Sequence, residues 1–275
     1  MKIPFLKMHG AGNDFVFVSD DMTKAKITPA LAKKMLDRHF GVGGDQLLAL
    51  HKAGKNGHGA EFTLDIWNAD GSKAEMCGNG VRAVAYYLRD HRKVHGNFHI
   101  KTGAGLIGIN QHGGRIEVDM GEPIMEGEDI PVQAKGPIID WPLHINDRDF
   151  RIHAVSMGNP HAVIYQKHVD ALDVTAYGPL IERHSFFPRR VNVHFVEIIS
   201  PKRVHVRHWE RGAGATLACG TGACAVAVAS ARAGLTEREI DVDVPGGKLH
   251  VRWANNNHVF LSGPAETTYK GEWLA

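Results

Sequence analysis

Two short blocks recur along this 275-residue chain at nearly the same separation, and that repeat limits the fold more than any other feature. Gly12-Asn13-Asp14-Phe15 is echoed by Gly158-Asn159-Pro160-His161, 158 − 12 = 146 positions on. Met76-Cys77-Gly78-Asn79-Gly80 is echoed by Ala218-Cys219-Gly220-Thr221-Gly222, 219 − 77 = 142 positions on. Similar offsets in the same order predict two duplicated halves. A weaker pair, Gly113-Gly114 and Gly246-Gly247, sits between strand-like runs as hairpin turns do. The boundary is expected in the Gly/Pro/Glu-rich stretch Gly121–Pro137, which has no clean periodicity.

Coarse patterning fills in each half. Runs at 3–8, 15–19, 46–51, 61–67 and 106–110 read as strands, as do 151–156, 191–199, 202–209, 239–244 and 248–253. Thr28-Pro29 is an N-cap and first-turn signal for a helix through Asp37. After Cys77, the residues Val81, Val84, Ala85 and Leu88 fall on one helical face. After Cys219, the run Ala223–Ala231 is apolar nearly all round, which predicts a helix buried on every side. Hairpin turns outnumber βαβ crossovers, so the fold class is α+β: two halves, each a curled, mostly antiparallel sheet around a helix that begins at Cys-Gly-x-Gly.

Such a helix start has its own chemistry. Its first N–H groups are unpaired and carry the positive end of the helix dipole. A cysteine there is expected to have a lowered pKa, about 3.5–7.5 against roughly 8.5 when free. The glycines let the backbone approach a ligand, so the same N–H groups suit a carboxylate or the charge left by a departing α-proton. Inverting a stereocentre needs a base on one face and an acid on the other, which one ionised and one neutral thiol supply. Cys77 and Cys219 are therefore the candidate acid/base pair, whereas Cys224, inside an Ala/Val-rich helix, reads as core.

Composition works here by exclusion. With 43% hydrophobic and 23% charged residues the chain is expected to fold, and a net charge of +2 gives no nucleic-acid footprint; Pro188-Arg189-Arg190 is too short to be one. No run approaches the ~18 apolar residues of a membrane helix. The start Met1–Phe5 lacks the pattern of a signal peptide, so a soluble cytoplasmic protein is expected. Three cysteines do not make a disulfide framework. The eighteen histidines are scattered without a His-Glu-x-x-His pattern, and neither Gly10-Ala11-Gly12 nor Gly41–Gly44 completes a nucleotide loop. Asn13, Gln46, Asn68, Asn159 and Asn192 sit in Gly/Asn-rich turns or beside strand starts and, as a set, suit an amino-acid zwitterion. Arg211, after Glu210, offers a fork for a carboxylate.

These blocks together resemble the diaminopimelate epimerase family, from His9–Phe15 to Ser262-Gly263-Pro264. The most specific matches are Asn68–Ser72, Glu75–Gly80, Gly158–His161, and Trp209–Gly214 with Ala218–Ala223. The resemblance implies interconversion of LL- and meso-2,6-diaminopimelate without pyridoxal phosphate or a metal, in lysine and peptidoglycan-precursor synthesis. It makes Cys77 the proton donor and Cys219 the acceptor. Asn13, Gln46, Asn68, Asn159, Asn192, Glu210 and Arg211 would bind substrate with the backbone of Gly78, Asn79, Gly220 and Thr221. His161 and Glu210 would tune the thiols and the substrate amine. It further implies halves at 1–122 and 123–263, a tail at 264–275 returning to the first, and a homodimer with Tyr269 at its contact. One departure is Ala215, where the family usually has Glu. A related racemase acting on another amino acid, and an anion-binding module that needs no thiol, remain the alternatives.

Overall fold

The computed structural model describes residues 2–54, 59–112, 115–146 and 148–274. Two compact units emerge, Met1–Asp119 with Ser262–Ala275, and Met120–Leu261. The division precedes the Gly121–Pro137 stretch because the Met120 N–H already donates to Val259 O (2.8 Å) in the second unit. The expected turn at Gly113-Gly114 lies outside the described residues.

The first unit runs β1 (Lys2–Gly10), β2 (Asn13–Ser19), α1 (Pro29–Leu36), β3 (Gln46–Lys52), β4 (Phe62–Asn68) and β5 (Lys73–Ala74). It continues with α2 (Gly78–Arg92), β6 (Phe98–Thr102), β7 (Gly105–His112) and β8 (Arg115–Asp119). The second unit holds β9 (Trp141–Ile145), β10 (Arg148–Ser156), β11 (Pro160–Tyr165), α3 (Val174–Glu182), β12 (Asn192–Ser200) and β13 (Arg203–Glu210). There follow β14 (Gly214–Thr216), α4 (Gly220–Arg232), β15 (Glu239–Val244), β16 (Gly247–Trp253) and β17 (Val259–Ser262). The last strand, β18 (Glu266–Leu274), returns to the first unit and pairs antiparallel with β1.

Strand pairing carries the repeat in detail. In the first unit β1–β2, β3–β4, β4–β5 and β6–β7 are antiparallel, while β2–β3 and β4–β6 are parallel. The second unit reproduces every one of these in β10–β11, β12–β13, β13–β14, β15–β16, β11–β12 and β13–β15. Register is kept as well: Phe15↔Gln46 answers to His161↔Asn192, and Leu47↔Trp67 to Val193↔Trp209. The offset changes from 192 − 46 = 146 to 209 − 67 = 142 between β3 and β4, where the first unit's connection is longer.

Each sheet wraps one helix. α4 packs against β10, β11, β12, β15 and β16, and its residues from Gly222 to Ser230 are buried all round. α2 packs against β1, β3 and β8. It is buried on more than the single apolar face the spacing suggested, because Arg82 and Ala83 are fully enclosed too. On the outer faces, α1 joins a cluster containing Ile3, Val16, Leu47 and Trp67, and α3 joins one containing Phe150, Ile152, Val193 and Phe195. Against hydrocarbon cores of this kind, buried polar side chains stand out.

Candidate active site

Both central helices are capped by cysteine. The Cys77 Sγ accepts the Gly80 N–H (3.4 Å) and the Cys219 Sγ accepts the Gly222 N–H (3.3 Å), the place an N-cap oxygen usually fills. The amides of Gly78 and Asn79, and of Gly220 and Thr221, are first-turn donors with no intrahelical acceptor. Each thiol thus sits beside a ready-made anion cradle.

In the first unit, Gly10 and Asn13 close the β1–β2 hairpin over Ala11-Gly12, both with positive φ (53° and 85°). That turn delivers Asn13 to Cys77, whose thiol donates to the Asn13 Oδ1 (3.7 Å). The Asn13 Nδ2 is tied to Asp45 Oδ2 (2.7 Å), and the Asn79 Nδ2 reaches the Asn13 Oδ1 at 3.5 Å. Gln46 and Asn68, opposed across β3–β4, are joined by Gln46 Nε2 donating to Asn68 Oδ1 (3.0 Å). Asn68 Nδ2 in turn donates to Ser72 Oγ (3.0 Å). Cys77, Asn13, Asn79, Gln46 and Asn68 therefore all belong to this unit, the first three in direct contact.

In the second unit Cys219 is buried, with Thr221 Oγ1 at 3.6 Å. Burial pushes its thiol well above the ordinary value, and the neighbouring Glu210 carboxylate pushes it further by charge and by hydrogen bonding. This corrects the lowered value that the helix start implied: removal from water and a nearby anion outweigh the dipole and the Gly222 N–H. Glu210 Oε1 accepts from Thr216 Oγ1 (2.6 Å). Asn192 uses its amide within the protein, donating to Pro160 O (3.0 Å) and accepting the Arg211 N–H (3.0 Å), so it holds the Arg211 backbone. The Arg211 guanidinium donates to Arg189 O (3.0 Å). Both ring nitrogens of His161 are engaged, Nε2 with Asn159 Oδ1 (2.9 Å) and Nδ1 with His194 Nε2 (2.8 Å). Ala215 is exposed on β14 opposite Trp209.

Several contributors escaped the sequence reading. Asp45 anchors Asn13, and Thr216 anchors Glu210. Buried Glu182 accepts from Trp209 Nε1 (2.8 Å) and Gly212 N (3.2 Å), pinning the turn that follows Glu210. His194 and His208, opposed across β12–β13, were discoverable from strand alternation, which points both inward with Asn192 and Glu210. His194 also wedges against the Cys219 helix: a Cβ on Gly222 would lie 2.4 Å from its Cε1. On the matching Gly80 the nearest atom would be the Leu48 Cδ2, at 3.0 Å, with Cys77 Cβ and Sγ at 3.5 Å. Alanine at Gly222 is accordingly expected to cost about 1–3 kcal/mol, as overpacking does, and alanine at Gly80 less. Urea denaturation of the two variants reads the difference, and equal midpoints would count against the wedge.

A family model described as diaminopimelate epimerase matches residues 5–126 and 153–268. The chain is 44% identical over 281 residues to a diaminopimelate epimerase of Leptospira biflexa, covering 99% of each. It is 45% identical over 275 residues to one of Carboxydothermus hydrogenoformans, covering 98% of this chain and 99% of the relative. Among solved structures, a Bacillus anthracis phenazine biosynthesis protein of the PhzF family shares the fold over 100% of both chains, with TM-score 0.71 at 17% identity. A hydroxyproline epimerase from Agrobacterium vitis does so with TM-score 0.68 at 14% identity, over 99% of this chain and 91% of that one. On the family match and on 44% and 45% identity over nearly the whole chain, the chain belongs to the diaminopimelate epimerase family.

Proposed function

We propose that this protein interconverts LL- and meso-2,6-diaminopimelate by exchanging one α-proton between substrate and the thiols of Cys77 and Cys219. It is an isomerase of the lysine and peptidoglycan-precursor route, as its relatives' name and full-length similarity support. The observation that carries the mechanism is the pair of repeat-related thiols, each capping a helix whose first amides have no intrahelical acceptor. One thiol removes the α-proton as thiolate, and the other delivers a proton to the opposite face of the carbon, with roles exchanged in reverse. The amides of Gly78, Asn79, Gly220 and Thr221 hold the reacting carboxylate and stabilise charge that develops on it. Glu210 lies beside Cys219 and is suited to the substrate ammonium. Asn13, Gln46, Asn68, Asn159, Asn192 and Arg211 supply the remaining polar contacts, with His161 acting through Asn159.

The same reading makes the protein a cytoplasmic homodimer with Tyr269 at the contact and no nucleic-acid partner. Tyr269 is half exposed on β18 and packs edge-on against Phe5 (6.1 Å). Among the described residues, no helix is long and apolar enough to cross a membrane.

Turnover of LL-diaminopimelate in deuterated water tests the mechanism. One solvent deuterium is expected at the inverted α-carbon of meso product, with no added cofactor and no comparable exchange into glutamate, proline or lysine. Product that keeps its original hydrogen would rule out exchange through two thiols.

A further inference from the structure

Three imidazoles run in file through the core of the second unit. His161 and His194 are fully buried and His208 is 1% exposed. His161 Nδ1 meets His194 Nε2 at 2.8 Å, and His194 Nδ1 meets His208 Nδ1 at 2.8 Å. The far end of the file, His161 Nε2, meets Asn159 Oδ1 at 2.9 Å. The fold itself does not require polar groups here. The matching positions of the first unit are Phe15 (161 − 15 = 146), Leu48 (194 − 48 = 146) and Ile66 (208 − 66 = 142), all buried hydrocarbon.

Burial keeps all three rings neutral: His161 and His208 are pushed down to about 3, and His194 well below its ordinary value. A neutral imidazole has one N–H and one lone pair, so each hydrogen bond in the file fixes the next. Asn159 Oδ1 can only accept, which makes His161 Nε2 the donor and His161 Nδ1 the acceptor. His194 must then donate through Nε2 and accept through Nδ1, and His208 must donate through Nδ1. The file ends on His208 Nε2, which is buried without a hydrogen-bond partner among the described residues. In this order it ends on a lone pair and not on an orphaned buried N–H, the rarer and costlier outcome. Both ends of the file favour the same direction.

We propose that His194 and His208 are positioning residues, which through His161 lock the Asn159 amide with its oxygen inward and its Nδ2 donors free for substrate. The proposal rests on the reading of Asn159 as a substrate-binding residue. The first unit supports it by contrast. Its matching Asn13 is tied by Nδ2 to Asp45 and turns its oxygen to Cys77, the reverse orientation. Asn159 Nδ2 has no hydrogen-bond partner among the described residues, as a group reserved for a ligand should not. The repeat thus presents an acceptor from one asparagine and donors from the other, and the imidazole file makes that difference permanent.

Ring-nitrogen NMR of histidine-labelled enzyme tests the order without any variant that must fold. His161 and His194 are expected protonated at Nε2 and His208 at Nδ1, with rings assigned by through-bond correlation to the backbone; the opposite order in the file overturns the proposal. Kinetics test its use. His208→Ile, the residue at the matching site, is expected to raise KM about tenfold, the worth of one hydrogen bond, with a smaller change in kcat. His208→Gln keeps a donor for His194 Nδ1 and is expected to bring KM back to within about twofold. His194→Leu repeats the loss from the middle of the file. Raised KM in Asn159→Ala with wild-type KM in both His208→Ile and His194→Leu overturns the file alone. Wild-type KM in Asn159→Ala overturns the substrate-binding reading of Asn159, and the proposal with it.

Discussion

Alanine at Cys77 or at Cys219 is expected to lower epimerisation by about four orders of magnitude, whereas alanine at Cys224 leaves turnover within about twofold. All three are free cysteines, so the difference lies in placement. Cys77 and Cys219 cap helices and meet polar neighbours, Asn13 for one and Glu210 with Thr221 for the other. Cys224 is fully enclosed in α4, and losing its sulfur leaves a small cavity worth about 1 kcal/mol. The single variants carry a second, sharper expectation. One remaining thiol can remove an α-proton and return a solvent hydron on the same face, with no group opposite to complete inversion. Cys77→Ala should therefore exchange the α-hydrogen of one stereoisomer without inverting it, and Cys219→Ala that of the other. Deuterium uptake followed by chiral chromatography separates the cases. Full inversion by either variant would mean that one thiol suffices.

The repeat was legible because its anchors are rare words, Cys-Gly-x-Gly and Gly-Asn, which survive where ordinary strand residues drift. The fold built on them follows from helix-capping and strand periodicity, and those signals placed β1 to β4, α2, α4, β12, β13, β15 and β16. Elements with weak local signals were missed. β18, with the sequence Glu-Thr-Thr-Tyr-Lys-Gly-Glu-Trp-Leu, is mostly exposed and lacks an apolar alternation, so only the family resemblance pointed to its return. α3 carries Pro179 inside it, which reads as a break. It forms because Asp173 caps its start, accepting from Thr175 N (2.9 Å) and Ala176 N (3.2 Å). Gly178 then lets it close on Trp209, whose Cγ is 2.4 Å from where a Cβ would stand. The cap is local, but the contact of Gly178 with Trp209 on β13 is not visible in a local window.

The site divides along the same line. Spacing put both cysteines at helix starts, and the structure caps both helices with them. Spacing could not say what else surrounds the sulfur. Glu210 reaches Cys219 from the end of β13, and burial comes from the sheet wrapped around α4. Both act through tertiary contact, and together they reverse the pKa direction that the helix start suggests. The buried histidines make the same point differently. Each is a buried polar residue on a strand, and only the register of β12 against β13 turns two of them into a hydrogen-bonded pair.

That reversal gives the second large effect, at Glu210. Exchange of Glu210 for Gln removes an anion beside Cys219 while keeping size and an amide oxygen for the Thr216 hydroxyl, which now donates to Oε1 at 2.6 Å. With the anion gone, the thiolate is destabilised only by burial, so the Cys219 pKa falls and a larger fraction is ionised at any pH below it. Alkylation of Cys219 by a small reagent, followed by peptide mass spectrometry, should therefore run faster in Glu210→Gln than in the parent enzyme at the same pH. Epimerisation should move the other way, falling by about a hundredfold or more, because the variant loses the carboxylate placed to meet the substrate ammonium and to share the thiol's proton. Opposite signs indicate electrostatic control provided the urea midpoint of the variant matches that of the parent, because an unfolded chain would also expose the thiol, whose pKa burial holds up. If alkylation slows as well, Glu210 is not what holds the thiol protonated. If turnover is unchanged, Cys219 reaches its reactive form without this carboxylate, and Glu210 has no part in the proton transfer.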